Sequence, residues 1–285
     1  MHKLKKESLY NYLIIIFPIF FIIGSAAINF ILIIISLLTL FEIKKSYIKS
    51  NLTLIIFFGI IYIYWIFIAI LADDNLKSLQ SSISQIRFFL FAIFVSIFFK
   101  PEYFLKYLVY FWSFIVLLVC IDTNIQFFTG IDIFGYKAEG YIHDYRIWAT
   151  TDVGRLSGPF GDELVVGAFL AKISAPIILF YLHKIQFSKK KIETITSFLF
   201  LCLIYETVVF SGERTSLIII SLTFIVYFIF RTNIKKIMLL LLAIFIIIST
   251  SYLNNNYIKY RVNDTLKIVS NIPSSSYGRI YNSSI

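Results

Sequence analysis

Residues 208–220 read VVFSGERTSLIII and place Glu213 and Arg214 between two stretches that are otherwise apolar. A turn can be built from Gly, Ser and Asn alone, so a glutamate–arginine pair at this point invites a chemical explanation. A second candidate segment, residues 154–176, reads GRLSGPFGDELVVGAFLAKISAP. Gly158, Pro159 and Gly161 break regular structure there, and Asp162 and Glu163 are expected in the first turn of a following helix, where the dipole favours acids. Gly167, Ala168 and Ala171 would give that helix a small-residue face for close packing. Free N–H groups at such a junction, beside Arg155, form a candidate anion site; an ordinary capped helix start accounts for the same spacing.

Three more charges, Arg87, Lys172 and Glu206, fall inside apolar runs. A charge at mid-membrane costs about 2.5–3.5 kcal/mol on insertion scales, so it needs a partner or a wet cavity. Taken singly, each charge has a plain structural role. Arg87 can snorkel to the interface, Glu206 can pair with Lys172, and Asp162 can cap a helix. Taken together with Arg155, Glu163, Glu213 and Arg214, they point to a polar cavity in one half of the membrane. Cys120 and Cys202 both lie in apolar runs, and His2, His143 and His183 are far apart, so no disulfide framework or metal-ligand spacing is present in the sequence.

The elements that must position these residues are helices in lipid. Of 285 residues, 59% are hydrophobic, and the mean hydropathy is +0.85. The apolar residues come in unbroken runs of roughly 16–21, enough to cross a hydrocarbon core of about 30 Å as helix. Barrel strands would alternate in short segments instead. The sequence therefore predicts an all-α, polytopic membrane protein with about nine spans: 10–24, 26–41, 52–72, 83–99, 104–121, 164–182, 194–210, 215–230 and 237–253. The N-terminus resembles a signal peptide, but the apolar run that follows at once favours an uncleaved first hairpin.

Orientation follows from lysine and arginine. With the N-terminus in the cytoplasm, fifteen of the 26 basic residues fall in short cytoplasmic segments or, for Lys106, at the cytoplasmic edge of a span, and nine in outer segments, as the positive-inside rule requires. That rule absorbs the net charge of +10 without a nucleic-acid partner. The buried and boundary charges then gather in the outer half. The whole chain is expected to be one integral-membrane domain, 1–285, with an outer loop at 122–163 and an outer tail from 254.

On these residues the chain resembles the O-antigen ligase and O-antigen polymerase superfamily of bacterial envelope enzymes. IQFFTGIDIFGY (125–136) followed by GRLSGPFGDELVVGAFLAKISAPI is similar to that family's outer loop and next helix. FSGERTSLI (210–218) is similar to its short Ser-Gly-x-Arg turn, and SSSYGRIYNSSI (274–285) resembles the start of its large extracytoplasmic loop. The resemblance covers roughly residues 120–285; the first four spans match only as apolar segments. It implies a protein of the bacterial inner membrane that transfers a glycan from undecaprenyl diphosphate to a sugar hydroxyl, on another glycan or on lipid A-core, at the periplasmic face. It also implies no metal, cofactor or nucleotide sugar. Arg155, Arg214 and Arg279 match arginines expected to hold the diphosphate. Arg87, Lys172, Glu206, Asp162, Glu163 and Glu213 would support the polar cavity.

Arginine suits such a role, because its planar fork makes two charge-assisted bonds to phosphate and stays protonated. The acceptor hydroxyl needs a base. His143, Asp144 and Asp152 lie on the expected side, with surface roles the simpler reading of each. The resemblance places the base beyond Ile285, in a loop and spans that would make this chain the front part of a longer protein. The alternative from another class is a transporter or flippase of the same lipid-linked glycan, which should show broken helices at mid-membrane and internal symmetry.

Overall fold

A computed structural model describes residues 2–43, 45–103, 107–138, 156–161, 163–229, 242–246, 249–250 and 263. Eleven helices are named among them. They are α1 (His2–Ile23), α2 (Ser25–Glu42), α3 (Lys45–Ser50), α4 (Leu52–Ile70), α5 (Asn75–Ser84), α6 (Ile86–Phe98), α7 (Pro101–Tyr103), α8 (Val109–Thr129), α9 (Val166–Phe187), α10 (Lys191–Ser211) and α11 (Arg214–Ile229). The only β-pairing among the described residues is an isolated bridge between Ile131 and Lys137. Among the described residues, six helical segments are long and apolar enough to cross a membrane: α2, α4, α5 with α6, α8, α9 and α10. Leu9–Ile23 and Arg214–Tyr227 are apolar but shorter. The chain is an all-helical membrane protein; the expected ninth span, 237–253, lies largely outside the described residues.

Several boundaries depart from expectation. The helix expected to end at 121 runs to Thr129, because polar residues near its end are buried against protein. The span expected from 83 begins at Asn75 and is broken once, at Gln85, between α5 and α6. The helix expected from 164 starts at Val166, and no acid stands in its first turn.

Contacts divide the chain into two compact units, Met1–Phe111 and Trp112–Ile285. In the first, α2 packs on α6 and on α1, and α4 packs on α5. Gly24, with φ 128°, separates α1 from α2 in a conformation that a side chain would strain. Phe94, fully buried on α6, takes Tyr10 edge-on at 5.5 Å between ring centroids, and Phe17 stacks on Phe91 at 4.4 Å.

In the second unit α9 packs against both α10 and α11. Lipid is as apolar as leucine, so helices in it are held by close packing and hydrogen bonds more than by water exclusion. α9 meets that need with a stripe of small buried residues, Gly167, Ala171 and Ser174. Larger buried residues, Leu170, Ile177 and Ile178, fill the rest of its inner face. Near the other end, Tyr227 Oη donates to Gln186 Oε1 at 2.7 Å. There Glu193 binds Lys190 at 3.4 Å and lies 3.8 Å from Lys184 across the α9–α10 connection.

Candidate functional site

The opening segment is resolved as a tight helical corner. α10 ends at Ser211, Gly212 takes the left-handed conformation with φ 69° and ψ 12°, and its N–H donates to the Val209 carbonyl at 3.2 Å. This is the geometry in which glycine ends helices, since it bears no Cβ penalty there. Arg214 is the first residue of α11. Ser211 Oγ donates to Val208 O at 2.8 Å and receives the Glu213 N–H at 3.4 Å, which locks the corner from within.

Four helix ends meet here. Phe127, near the end of α8, stacks face to face on Phe210 of α10, with centroids 3.8 Å apart and planes 6° from parallel. Ala138 and Leu156 complete that buried cluster, with Val209 against it. The start of α9 lies on the same corner: a Cβ added to Gly167 would stand 2.7 Å from Ser211 Oγ, 2.8 Å from Glu213 Cβ and 3.0 Å from Glu213 Cδ. The junction therefore gathers the C-terminal ends of α8 and α10 and the N-terminal ends of α9 and α11.

The GPF stretch is tied to α8 by one side chain. Gln126 is fully buried; its Nε2 donates to Ser157 Oγ at 3.0 Å and to Tyr136 O at 3.2 Å. Its Oε1 accepts the Gly158 N–H at 2.8 Å. Gly158, with φ 51°, opens a 3-10 turn through Phe160, and a Cβ there would collide with Thr123 Oγ1 at 2.5 Å. The loop after α8 is organised by two buried aspartates. Asp122 Oδ1 accepts from Ile133 N at 2.8 Å, and Asp132 Oδ1 accepts from Tyr136 N at 2.6 Å. Two residues along α8 from Asp122, Asn124 Nδ2 donates to Thr207 Oγ1 of α10 at 2.9 Å. Asp122, Asn124, Gln126 and Asp132 are the polar residues that sequence reasoning passed over. The signal available was the cluster itself, four hydrogen-bonding side chains within eleven positions at the end of an apolar run.

Glu213 meets Gly167 at the corner, and it and the next residue, Arg214, are both half-buried. Glu213 Oε2 accepts from Ser216 Oγ at 2.9 Å, and its Oε1 is buried without a hydrogen-bond partner. Asp162 and Glu163 were expected in the first turn of α9. Asp162 lies outside the described residues, and Glu163 is exposed, three residues before the helix. Its N–H instead closes the turn on Phe160 O at 3.2 Å, because the glycine-proline stretch keeps the chain from coiling until Val166. The carboxylate against that first turn is Glu213, from across the junction.

Lys172 is exposed and Glu206 is half-buried; no ion pair joins them, so the simple pairing expected between them does not form. Arg87 belongs to the other unit. Its Nε is buried without a hydrogen-bond partner, and its guanidinium carbon lies 5.3 Å from the centroid of the adjacent Phe88 ring. Arg155 and Arg279 lie outside the described residues, as do His143, Asp144 and Asp152. Leu156, next in sequence to Arg155, is the residue buried against Phe210. Among the described residues no group of three or more His, Cys, Asp or Glu could hold a metal ion. Comparison with known protein families, with curated proteins and with solved structures finds no match.

Proposed function

We propose that this chain transfers a glycan from undecaprenyl diphosphate to a sugar hydroxyl at the periplasmic face of a bacterial inner membrane, as an O-antigen ligase or polymerase does. The observation that carries the reading is the corner at Ser211–Arg214. A left-handed glycine and a buried aromatic stack hold Arg214 at the start of α11, in the same junction that anchors Leu156, the neighbour of Arg155. Two arginines from separate segments would then face one anion. The orientation that places this junction outside rests on the lysine-rich segments at the opposite helix ends.

In the reaction the bond between the anomeric carbon and the diphosphate oxygen breaks and the acceptor oxygen takes its place. The acceptor's proton passes to a base, and the electron pair leaves with the diphosphate. Charge grows on phosphate oxygens as that bond breaks. Guanidinium groups fixed in advance stabilise it without reorganising, which is the economical form of electrostatic catalysis. Glu213 is assigned to the packing of α9 on the corner and to setting the direction in which Arg214 leaves it. Pro18 and Pro176 lie within continuous helices α1 and α9, so neither proline makes the broken helix that a transporter reading calls for.

The test uses cells whose only copy of the gene carries Arg214→Ala, Arg214→Lys or Arg155→Ala. Surface polysaccharide is run on a gel and protein amount is measured in parallel. Loss of long-chain polysaccharide at unchanged protein level is expected for both alanine variants. Arg214→Lys should retain part of the activity, because it keeps the charge and loses the fork. Normal polysaccharide in both alanine variants refutes the assignment. Donor accumulating on the cytoplasmic leaflet would identify a flippase.

A further inference from the structure

Outside the junction, a cavity of about 570 Å³ lies between α4 and α5 in the first unit. Its two walls differ in chemistry. α4 contributes Trp65, Ile68 and Ala69, spaced three and four apart so that they share one helix face. α5 contributes Lys77, Ser78 and Ser81, an ammonium and two hydroxyls, and no carboxylate lines the groove. Asp73 and Asp74 sit in the connecting bend instead, where Asp74 caps α5 by accepting the Lys77 backbone N–H at 3.3 Å.

The walls are held in place. Tyr62 Oη donates to Ile83 O at 3.3 Å across the two helices, and the Trp65 ring meets Phe89 edge-on at 5.7 Å. Position along the membrane is set by length. Trp65 stands five residues before the end of α4, about 7.5 Å at helical rise, the depth at which tryptophan settles between headgroups and acyl chains. On the polar wall, Lys77 and Ser78 stand two and three residues into α5, nearer the connecting bend than Trp65 and at headgroup level, and Ser81, six residues in, is about level with Trp65.

We propose that this groove holds the phosphate of an anionic membrane phospholipid, with Lys77 and the Ser78 and Ser81 hydroxyls on the phosphate oxygens and the first methylenes of an acyl chain along Trp65 and Ile68. One lysine at an anionic surface is worth roughly fivefold in partition, and the hydroxyls add geometry that a bare charge lacks. The site is independent of glycan transfer and survives if that reading fails.

The chain contains three tryptophans, Trp65, Trp112 and Trp148, so the full chain carrying W112F and W148F reports from Trp65 alone. Reconstituted into vesicles of brominated phosphatidylglycerol or brominated phosphatidylcholine, it should be quenched with about fivefold preference for phosphatidylglycerol. Lys77→Gln should erase that preference, and high salt should weaken it. Equal quenching by both headgroups, or a preference unchanged by Lys77→Gln, overturns the proposal. A second measurement needs no tryptophan change: native mass spectrometry of the wild-type chain and Lys77→Gln should show phosphatidylglycerol retained by the first and lost from the second. Equal retention overturns it. Inorganic phosphate alone perturbing Trp65 in lipid-free detergent, without a headgroup preference in vesicles, would also overturn the lipid as occupant.

Discussion

Gly167→Ala tests the packing that places Glu213 and Arg214. On an open helix face the change should help, since alanine exceeds glycine by about 1 kcal/mol in helix propensity. At this position the new methyl would stand 2.7 Å from Ser211 Oγ, 2.8 Å from Glu213 Cβ and 3.0 Å from Glu213 Cδ. A hydroxyl can rotate away, but a Cβ is fixed to its backbone, so the corner between α10 and α11 must move or α9 must withdraw. Overpacking of this kind costs about 1–3 kcal/mol, more than the propensity gain over most of that range. Gly59→Ala is the control. Gly59 lies inside α4 with nothing within 4 Å of its added Cβ, so only the propensity term acts. The assay is the apparent unfolding midpoint in detergent at one scan rate, because membrane proteins seldom unfold reversibly. Gly59→Ala should hold or raise the midpoint, and Gly167→Ala should lower it. Adding Glu213→Ala should relieve little, since the Cβ remains, whereas Glu213→Gly should restore more. A Gly167→Ala variant stabilised to the same degree as Gly59→Ala would refute the close approach of α9 to the corner.

Gln126→Ala removes a fully buried side chain with three hydrogen bonds; at about 1 kcal/mol each, roughly 3 kcal/mol of local stability is lost. Faster hydrogen exchange confined to residues 130–138 and 156–161 should report it. Phe210→Ala removes one ring of the stacked pair and should cost about 3–5 kcal/mol, measured as a lower unfolding midpoint; Phe210→Leu should cost less. Breaking the Asn124–Thr207 bond with Thr207→Val leaves the half-buried Asn124 amide with the Cys120 carbonyl as its acceptor and should cost about 1 kcal/mol, whereas the double variant Asn124→Leu with Thr207→Val should recover part of it.

Much of the helix framework was legible because its cause is local. A run of apolar residues at 1.5 Å per residue either reaches across the lipid or does not. The expected spans 194–210 and 215–230 fall within a few residues of α10 and α11 because Ser-Gly-Glu-Arg places a left-handed glycine and four successive non-apolar positions between two largely apolar runs. The end of α8 was misread for a non-local reason. Asp122, Asn124 and Gln126 look like loop residues to a hydropathy window, yet their partners are Ile133, Thr207, Ser157 and Gly158, far along the chain. The break between α5 and α6 was likewise hidden, since Gln85 carries no proline or glycine signal.

The candidate site was legible in its residues and not in its wiring. Arg214 stands at a helix start in both the sequence and the fold, but the acid that meets α9 comes from Glu213 and not from the adjacent Asp162–Glu163 pair. Spacing arguments favour the nearest acid because they know only the chain, and the chain here is held in a turn until Val166. Glycine at 167 removes the side chain that would keep a neighbouring helix away, and the carboxylate fills the space. The consequence concerns Arg214 directly. Its neighbour Glu213 is immobilised on both sides, by Ser216 through Oε2 and by the bare backbone of α9 beneath its Cβ, so Arg214 leaves the corner from a fixed base. Under the proposed role, a guanidinium so mounted would lose little freedom on meeting the diphosphate, and that preorganisation would separate a clamp from a surface charge.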